Sequence, residues 1–233
     1  MAYEDAAALL QQGLHLDLPP VAIAHVDRPP QGVPGLQQAG SSACSYWRRA
    51  EQGLFYASAA DHFNCPIGAM GMGFALPDDV NKDLMGTVTT MFGMDYIRPE
   101  EIEFIPKFAK QTAGILYGPL AGFPVAPDAV VVWPTPAQAM LLQEWSRGAA
   151  WAKEPQGFVY GRPGCGAVAA AAVNNSPAMS LGCTGMRTFT EVPDDRCLAV
   201  IPGASLGNLQ ELQKVLSANE QMKGIYLQKK GAA

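Results

Sequence analysis

Four of the five cysteines stand in chain turns, where a sulfur is free to point at something other than the core. Cys44 follows GSSA, Cys65 lies in NCPIG, Cys165 in PGCGA and Cys183 in LGCTG. Turns rich in glycine also expose backbone N–H groups that can hydrogen-bond a sulfur ligand. Four thiolates are the usual complement of an iron–sulfur cluster or a structural zinc ion. The sequence therefore predicts a metal or cluster site at these four positions.

The spacing of these cysteines favours a cluster over a zinc ribbon. Cys44 and Cys65 form one pair and Cys165 and Cys183 the other, and within each pair the two cysteines are far apart along the chain. Structural zinc usually takes local pairs with only a few residues between the cysteines, and this chain has no such pair. Cysteines spread over distant loops are compatible with an iron–sulfur cluster, and the [4Fe–4S] type is our first expectation. Zinc remains an alternative, as does a metal-free thiol enzyme with one nucleophilic cysteine.

Three further side chains are candidates for the same site. His62 shortly precedes Cys65, at an offset that brings the two close if the segment is helical, so we predict it as the catalytic proton donor. Arg162 and Arg187 flank the second cysteine pair, and we predict that they hold an anionic substrate or offset the charge of a bound cluster. Each of the three could instead be structural or solvated. Cys197, on an apolar run, is interpreted as a buried core residue.

Composition and charge limit the partners. Hydrophobic residues make up 48% of the chain and charged residues 16%. A typical soluble domain has about 25% charged residues. So few charges predict a homo-oligomer with covered surface. The net charge of -5 and the lack of a basic run argue against nucleic acid. No apolar stretch reaches the ~20 residues of a membrane span. The N-terminus lacks the basic start of a signal peptide, which predicts a cytoplasmic protein.

The pattern of elements predicts a mixed α/β (α+β) fold in a single domain, 1–233. Strands and helices alternate irregularly, and no glycine-rich dinucleotide loop follows a strand. The run AVVVWP from Ala129 is apolar on both sides, which indicates a central, doubly covered strand. A helix is expected from Pro77 to about Gly93, a strand in IEFIP from Ile102, and a last helix from Asn208 to Leu216. The Ala-rich run between Cys165 and Cys183 is expected to be a helix.

The two halves share landmarks that suggest an internal duplication into lobes 1–120 and 121–233. A proline-bounded strand opens each half, in PPVAIAHVDRPPQ and PDAVVVWPTPAQ. A pair of cysteines follows each strand, and the second cysteine is followed by Gly and Met. PEEIEFIP and PDDRCLAVIP come next. If the duplication is real, two lobes face each other and each offers two thiols to a shared site.

The segments that carry these landmarks resemble the domain of unknown function 169 family of prokaryotic proteins. The matching pieces are LPPVAIAHV, CSYWRRAEQGLFYA, HFNCPIGAMGMG, GCGAVAAAAVNNSPAMSLGCTGMRTFTEVPDDR and LAVIPG, which cover most of the chain in the right order. The resemblance implies that the four turn cysteines are the positions of interest and that Cys197 is not. Met186 stands where the family pattern leads us to expect a polar residue, often Asn. The resemblance implies no activity.

These observations lead us to expect an iron–sulfur cluster-binding protein with a redox or small-molecule-transforming role, as an oxidoreductase or a lyase. The partner would be a small-molecule substrate or an electron-transfer protein. The alternatives are a zinc-stabilised structural or interaction module and the thiol enzyme.

Overall fold

One mixed α/β sheet organises the protein. The computed structural model describes residues 3–109, 112–146 and 159–231. Seven strands form the sheet in the order β2-β3-β1-β4-β7-β6-β5. Neighbouring strands are antiparallel, except that β5 and β6 are parallel. The mixed α/β class predicted from the sequence is confirmed.

The strands are β1 (Val21–Val26), β2 (Phe55–Ser58), β3 (Gly114–Pro119), β4 (Ala129–Val132), β5 (Val159–Tyr160), β6 (Ala178–Ser180) and β7 (Leu198–Pro202). The α-helices are α1 (Glu4–Gly13), α2 (Ser45–Ala50), α3 (Pro66–Gly71), α4 (Asp78–Gly93), α5 (Pro136–Ser146), α6 (Cys165–Asn174), α7 (Thr184–Thr190) and α8 (Leu209–Gly231). Short 3₁₀ helices are η1 (Ala60–His62), η2 (Pro99–Phe104) and η3 (Gly203–Asn208).

The sheet is covered on both faces, and alternation along its strands divides the core into two layers. Val131 of β4 belongs to the layer that includes side chains of α2, α3, α6 and α7. Its neighbours Val130 and Val132 belong to the layer that includes side chains of α1, α5 and α8. Every residue of β4 is buried, as expected for a strand at the centre of the sheet. The prediction of a central, doubly covered strand is therefore confirmed.

Two local predictions were wrong. The segment IEFIP was predicted as a strand, but Ile102 belongs to η2, a 3₁₀ helix that begins at Pro99. The last helix was predicted to end at Leu216, where its buried stripe ends, but α8 continues to Gly231 because the residues beyond are mostly good helix formers. The apolar run FVYG also predicts a strand; its Val159 and Tyr160 form β5, and Phe158 lies outside the described residues.

Strand order on the two sides of the β1–β4 boundary follows one scheme. Outward from that boundary, one side reads β1, β3, β2 and the other reads β4, β7, β6, with β5 as an additional strand at the edge. In each half the strand that comes first in the sequence is innermost, and the last one lies next to it. This is the order that a duplication would produce; the duplication itself stays a prediction. In the described parts of the chain, no helix is both long enough and apolar enough to span a membrane.

Candidate metal centre

Each of the four turn cysteines stands at the start of a short helix on the same face of the sheet. Cys44 immediately precedes α2, and Cys65 occupies the N-cap of α3, followed by Pro66. Cys165 is the first residue of α6, and Cys183 is the N-cap of α7. The order of elements thus repeats, with a cysteine before α2 and α3 in one half and at the start of α6 and α7 in the other.

The helices of the two halves pack crosswise, and this brings the cysteines together. Helix α2 contacts α7, and α3 contacts α6. All four cysteines line a single cavity of about 180 Å³. The sequence-based prediction that they would assemble from distant turns agrees with this placement, and the expected helix between Cys165 and Cys183 is α6.

Two glycines of α3 keep side chains away from the sulfurs. A Cβ atom at Gly68 would lie 2.9 Å from Cys65 Sγ and 2.8 Å from Ala43 Cβ. A Cβ atom at Gly71 would lie 3.2 Å from Cys165 Sγ. Both glycines allow the backbone of α3 to approach closely, and larger residues there would push a thiol out of position.

Hydrogen bonds orient two of the thiols. The backbone N–H of Met186 donates to Cys183 Sγ over 3.4 Å. Cys44 Sγ lies 2.9 Å from Ser42 Oγ, an arrangement in which either group can donate. Neutral donors of this kind are common around metal-bound thiolates.

The electrostatic surroundings hold two thiols in their protonated form when nothing is bound. Burial raises the pKa of Cys44 to about 12, with a further rise from the neighbouring Cys65 and Cys183. Burial likewise raises the pKa of Cys165 well above its usual range, and the other three thiols add to the effect. Cys44 and Cys165 therefore need a nearby cation to become thiolates near neutral pH.

A cover that the sequence analysis missed lies over the thiols. It consists of the end of α4, the following loop and η2, which contribute Met91, Tyr96, Ile97, Glu101, Ile102 and Ile105 to the cavity wall. The loop enters η2 through Pro99, and the Glu101 carboxylate accepts a hydrogen bond from Arg98 N–H at 3.1 Å. The sequence signal was the run PEE, which is typical of a helix start. The apolar residues of η2 therefore cover the cavity instead of adding a strand.

The two predicted arginines have different places. Arg162 lines the cavity, and its guanidinium lies 4.3 Å from the ring centroid of Tyr96. Arg187 is absent from the cavity wall. Its guanidinium donates to three backbone carbonyls, those of Leu181 (2.7 and 3.1 Å), Pro193 (3.2 Å) and Arg196 (2.8 Å). Arg187 therefore fixes the turn that carries Cys183, while Arg162 faces the cavity.

His62 is fully buried and does not line the cavity. Its Nδ1 lies 2.7 Å from the carbonyl oxygen of Ser58. A carbonyl oxygen can only accept, so Nδ1 carries the proton and donates. Its Nε2, 2.9 Å from the Tyr117 hydroxyl, then accepts. Burial lowers the pKa of His62 to about 4. These contacts assign His62 a structural place, and the predicted role as a proton donor gains no support from its position.

The remaining cysteine and the unusual methionine are both core residues. Cys197 is buried in the opposite core layer, and its Sγ lies 3.4 Å from the Pro134 carbonyl oxygen. Met186 is 1% exposed and forms part of the cavity wall. Its side chain fills the space left by two glycines: a Cβ at Gly164 would lie 2.9 Å from its Sδ, and one at Gly182 would lie 2.2 Å from its Cε. A polar residue would lose this packing.

A single metal ion would need its donor atoms close together. Thiolates on one tetrahedral zinc ion lie about 3.8 Å apart, since each Zn–S bond is about 2.3 Å. Within residues 3–109, 112–146 and 159–231, no three His, Cys, Asp or Glu side chains are grouped closely enough to hold one metal ion. All five cysteines are free thiols.

Comparison with known proteins gives a family and no activity. The model of the domain of unknown function 169 family (DUF169), described as Uncharacterised ArCR, matches residues 9–211. No curated protein and no solved structure matches the chain. The matched range includes all four turn cysteines, Arg162 and the cover of the cavity.

Proposed function

The chain belongs to the DUF169 family, and we propose that it binds an iron–sulfur cluster through Cys44, Cys65, Cys165 and Cys183. The observation that carries this proposal is the convergence of the four thiols, from four separate helix starts, on one cavity of about 180 Å³. Their number matches the usual ligand complement of a [4Fe–4S] cluster.

The origin of the four thiols supports a cluster more than a zinc ribbon. Structural zinc usually takes local cysteine pairs, whereas these four cysteines come from four separate helix starts. The raised pKa values of Cys44 and Cys165 are compatible with a cluster, because its iron ions would supply the positive charge that their thiolates need.

A metal-free thiol enzyme is less well supported. A nucleophilic cysteine needs a lowered pKa and a nearby base or cation. Burial raises the pKa of Cys44 and that of Cys165, and the one histidine near Cys65 in sequence makes its hydrogen bonds elsewhere. Since the function needs all four thiols reduced, we place the protein in the cytoplasm or another reducing compartment.

A bound cluster supplies electron transfer or, where one iron is accessible, Lewis acidity toward a small substrate. The chain's own residues give the cavity an apolar wall on one side, formed by Ile97, Ile102 and Ile105. Arg162 is the cation among the described lining residues, and it would offset negative charge on the cluster or on a substrate. An oxidoreductase or lyase role is therefore the function that we propose for the site.

The test is anaerobic purification followed by iron, acid-labile sulfide and zinc analysis and an absorption spectrum. We expect iron and sulfide in near-equal amounts and a broad visible absorbance. Replacement by Ser of any one of the four cysteines should lower the iron content, whereas the matched control Cys197→Ser should leave it unchanged. Protein that binds stoichiometric zinc, or neither metal, under reconstitution would contradict the proposal.

A further inference from the structure

A second, more open groove adjoins the cysteine-lined cavity. Its volume is about 580 Å³. The two share a wall made of Tyr96, Glu101, Ile105, Arg162, Pro163 and Cys183. Of the four turn cysteines, all of which lie in the described part of the chain, Cys183 is the one that lines both spaces. Cys183 therefore faces both the thiol cavity and the more open groove.

Two positions in the groove wall near Cys183 are glycines. Gly182 has a φ of +88°, and a Cβ there would lie 2.2 Å from Met186 Cε. A Cβ at Gly166 would lie 3.3 Å from Pro106 Cδ. A side chain at Gly182 would collide with Met186, and one at Gly166 would press on Pro106, so both glycines allow the close packing of the groove wall.

The polar groups of the groove match a small carboxylate. The exposed guanidinium of Arg162 rests against the Tyr96 ring at 4.3 Å. This cation–π contact leaves N–H donors for a ligand. Among the described residues, the guanidinium makes no hydrogen bond or ion pair, and such a group binds a carboxylate through two parallel hydrogen bonds. Glu101 lines the same groove, and beyond the bond from Arg98 N–H its carboxylate has acceptor capacity left.

We propose that this groove binds a small carboxylate that also carries a hydrogen-bond donor, with the carboxylate on Arg162 and the donor toward Glu101, next to Cys183. The proposal rests on the proposed function for the chemistry that follows binding, while the binding itself needs no metal. Hydroxy and amino carboxylates are the substrate class that can bond both the Arg162 guanidinium and the Glu101 carboxylate.

The test uses alkylation of the full-length chain, reduced and kept with a chelator. Iodoacetate is itself a small carboxylate, and iodoacetamide is its neutral analogue. With either reagent the sulfur of Cys183 displaces iodide, a thioether forms, and the thiol proton passes to the buffer. Peptide mass spectrometry gives the rate at each cysteine. We expect Cys183 to react first, and its ratio of iodoacetate rate to iodoacetamide rate to exceed that of Cys65, which lines only the inner cavity.

Two substitutions should move this ratio in opposite directions. Arg162→Gln should lower the ratio at Cys183 roughly threefold to tenfold, the size of a nearby charge effect in partly hydrated surroundings. Glu101→Gln should raise the ratio by a similar factor. The glutamine side chain keeps an oxygen that can accept the hydrogen bond from Arg98 N–H at the start of η2. Lys107→Gln, a matched control that removes a charge outside the groove wall, should leave the ratio unchanged. A general disturbance of the fold would not give opposite signs.

A ratio at Cys183 that neither substitution alters, or a faster reaction at another cysteine, would overturn the proposal. If Arg162→Gln does not fold, Glu101→Gln alone decides by the same criterion. The metal analysis described above is a separate readout. Iron binding without the charge preference overturns the groove assignment alone, and the charge preference without iron overturns the cluster alone.

Discussion

Gly68 offers a sharp test of how closely α3 approaches the thiols. A Cβ at this position would lie 2.8 Å from Ala43 Cβ and 2.9 Å from Cys65 Sγ, both closer than real Cβ contacts. Gly86, in the interior of α4, provides the matched control, because a Cβ there would meet nothing within 4 Å. Both positions are helical, so replacing Gly by Ala raises the intrinsic helix propensity at each of them.

The magnitudes separate the two variants. Gly→Ala in a helix interior stabilises by about 1 kcal/mol, and overpacking of a filled core costs about 1–3 kcal/mol. Gly86→Ala should therefore raise the free energy of unfolding by about 1 kcal/mol, which corresponds to about 2–4 °C in Tm for a chain of this size. Gly68→Ala should leave the free energy of unfolding unchanged or lower it by up to about 2 kcal/mol. Because the new methyl group displaces Cys65, the iron content of reconstituted protein should also fall.

Urea unfolding of both variants in metal-free form gives the free energies of unfolding, and iron analysis after reconstitution gives the second readout. The reasoning would be refuted if Gly68→Ala gained as much stability as Gly86→Ala and kept its full iron content. A loss of iron with no loss of stability would instead mean that Cys65 moves while Ala43 stays in place.

Three further outcomes are expected. Arg187→Gln should lower the free energy of unfolding by about 1–3 kcal/mol in urea titrations, because three backbone carbonyls lose a charged donor. Because the pKa of His62 is lowered to about 4 in the folded state, the unfolded chain takes up a proton first as the pH falls below about 6.5. Stability should then drop by on the order of 3 kcal/mol toward pH 4, and His62→Gln should lack this drop in unfolding at a series of pH values. Gly182→Ala should cost at least about 1 kcal/mol by urea unfolding, from its positive φ and the contact with Met186; an unchanged midpoint would contradict that.

Elements with strong local signals were predictable from the sequence. Helix α4 begins after Pro77 and ends at Gly93, and the buried run of β4 lies at the centre of the sheet. Strand β6 is too short for periodicity to reveal. The cover over the cavity was misassigned because apolar residues in IEFIP suggest a strand, although the capping at Pro99 and Glu101 is what decides its conformation.

The candidate site was predictable in its cysteines and less so in its other groups. Glycine turns identified the four thiols, but sequence spacing cannot tell where a long side chain points. Arg162 and Arg187 flank the same cysteine pair. Arg187 nevertheless donates its guanidinium N–H groups to backbone carbonyls near its own turn, while Arg162 faces the cavity. His62 is near Cys65 along the chain, but its two ring nitrogens bond the Ser58 carbonyl and the Tyr117 hydroxyl, and its side chain does not line the cavity.

The crosswise packing of α2 with α7 and of α3 with α6 has a consequence for biosynthesis. Synthesis proceeds at about 5–20 residues per second, so Cys44 is made on the order of 10 s before Cys183. The central strand β4 also cannot pair with β7 until β7 has been synthesised, and β7 lies beyond all four cysteines in the chain. A complete set of thiols therefore exists only after residue 183 has been made, and a nascent chain that stops earlier presents an unpaired strand edge and an incomplete ligand set to the quality-control machinery of the cell.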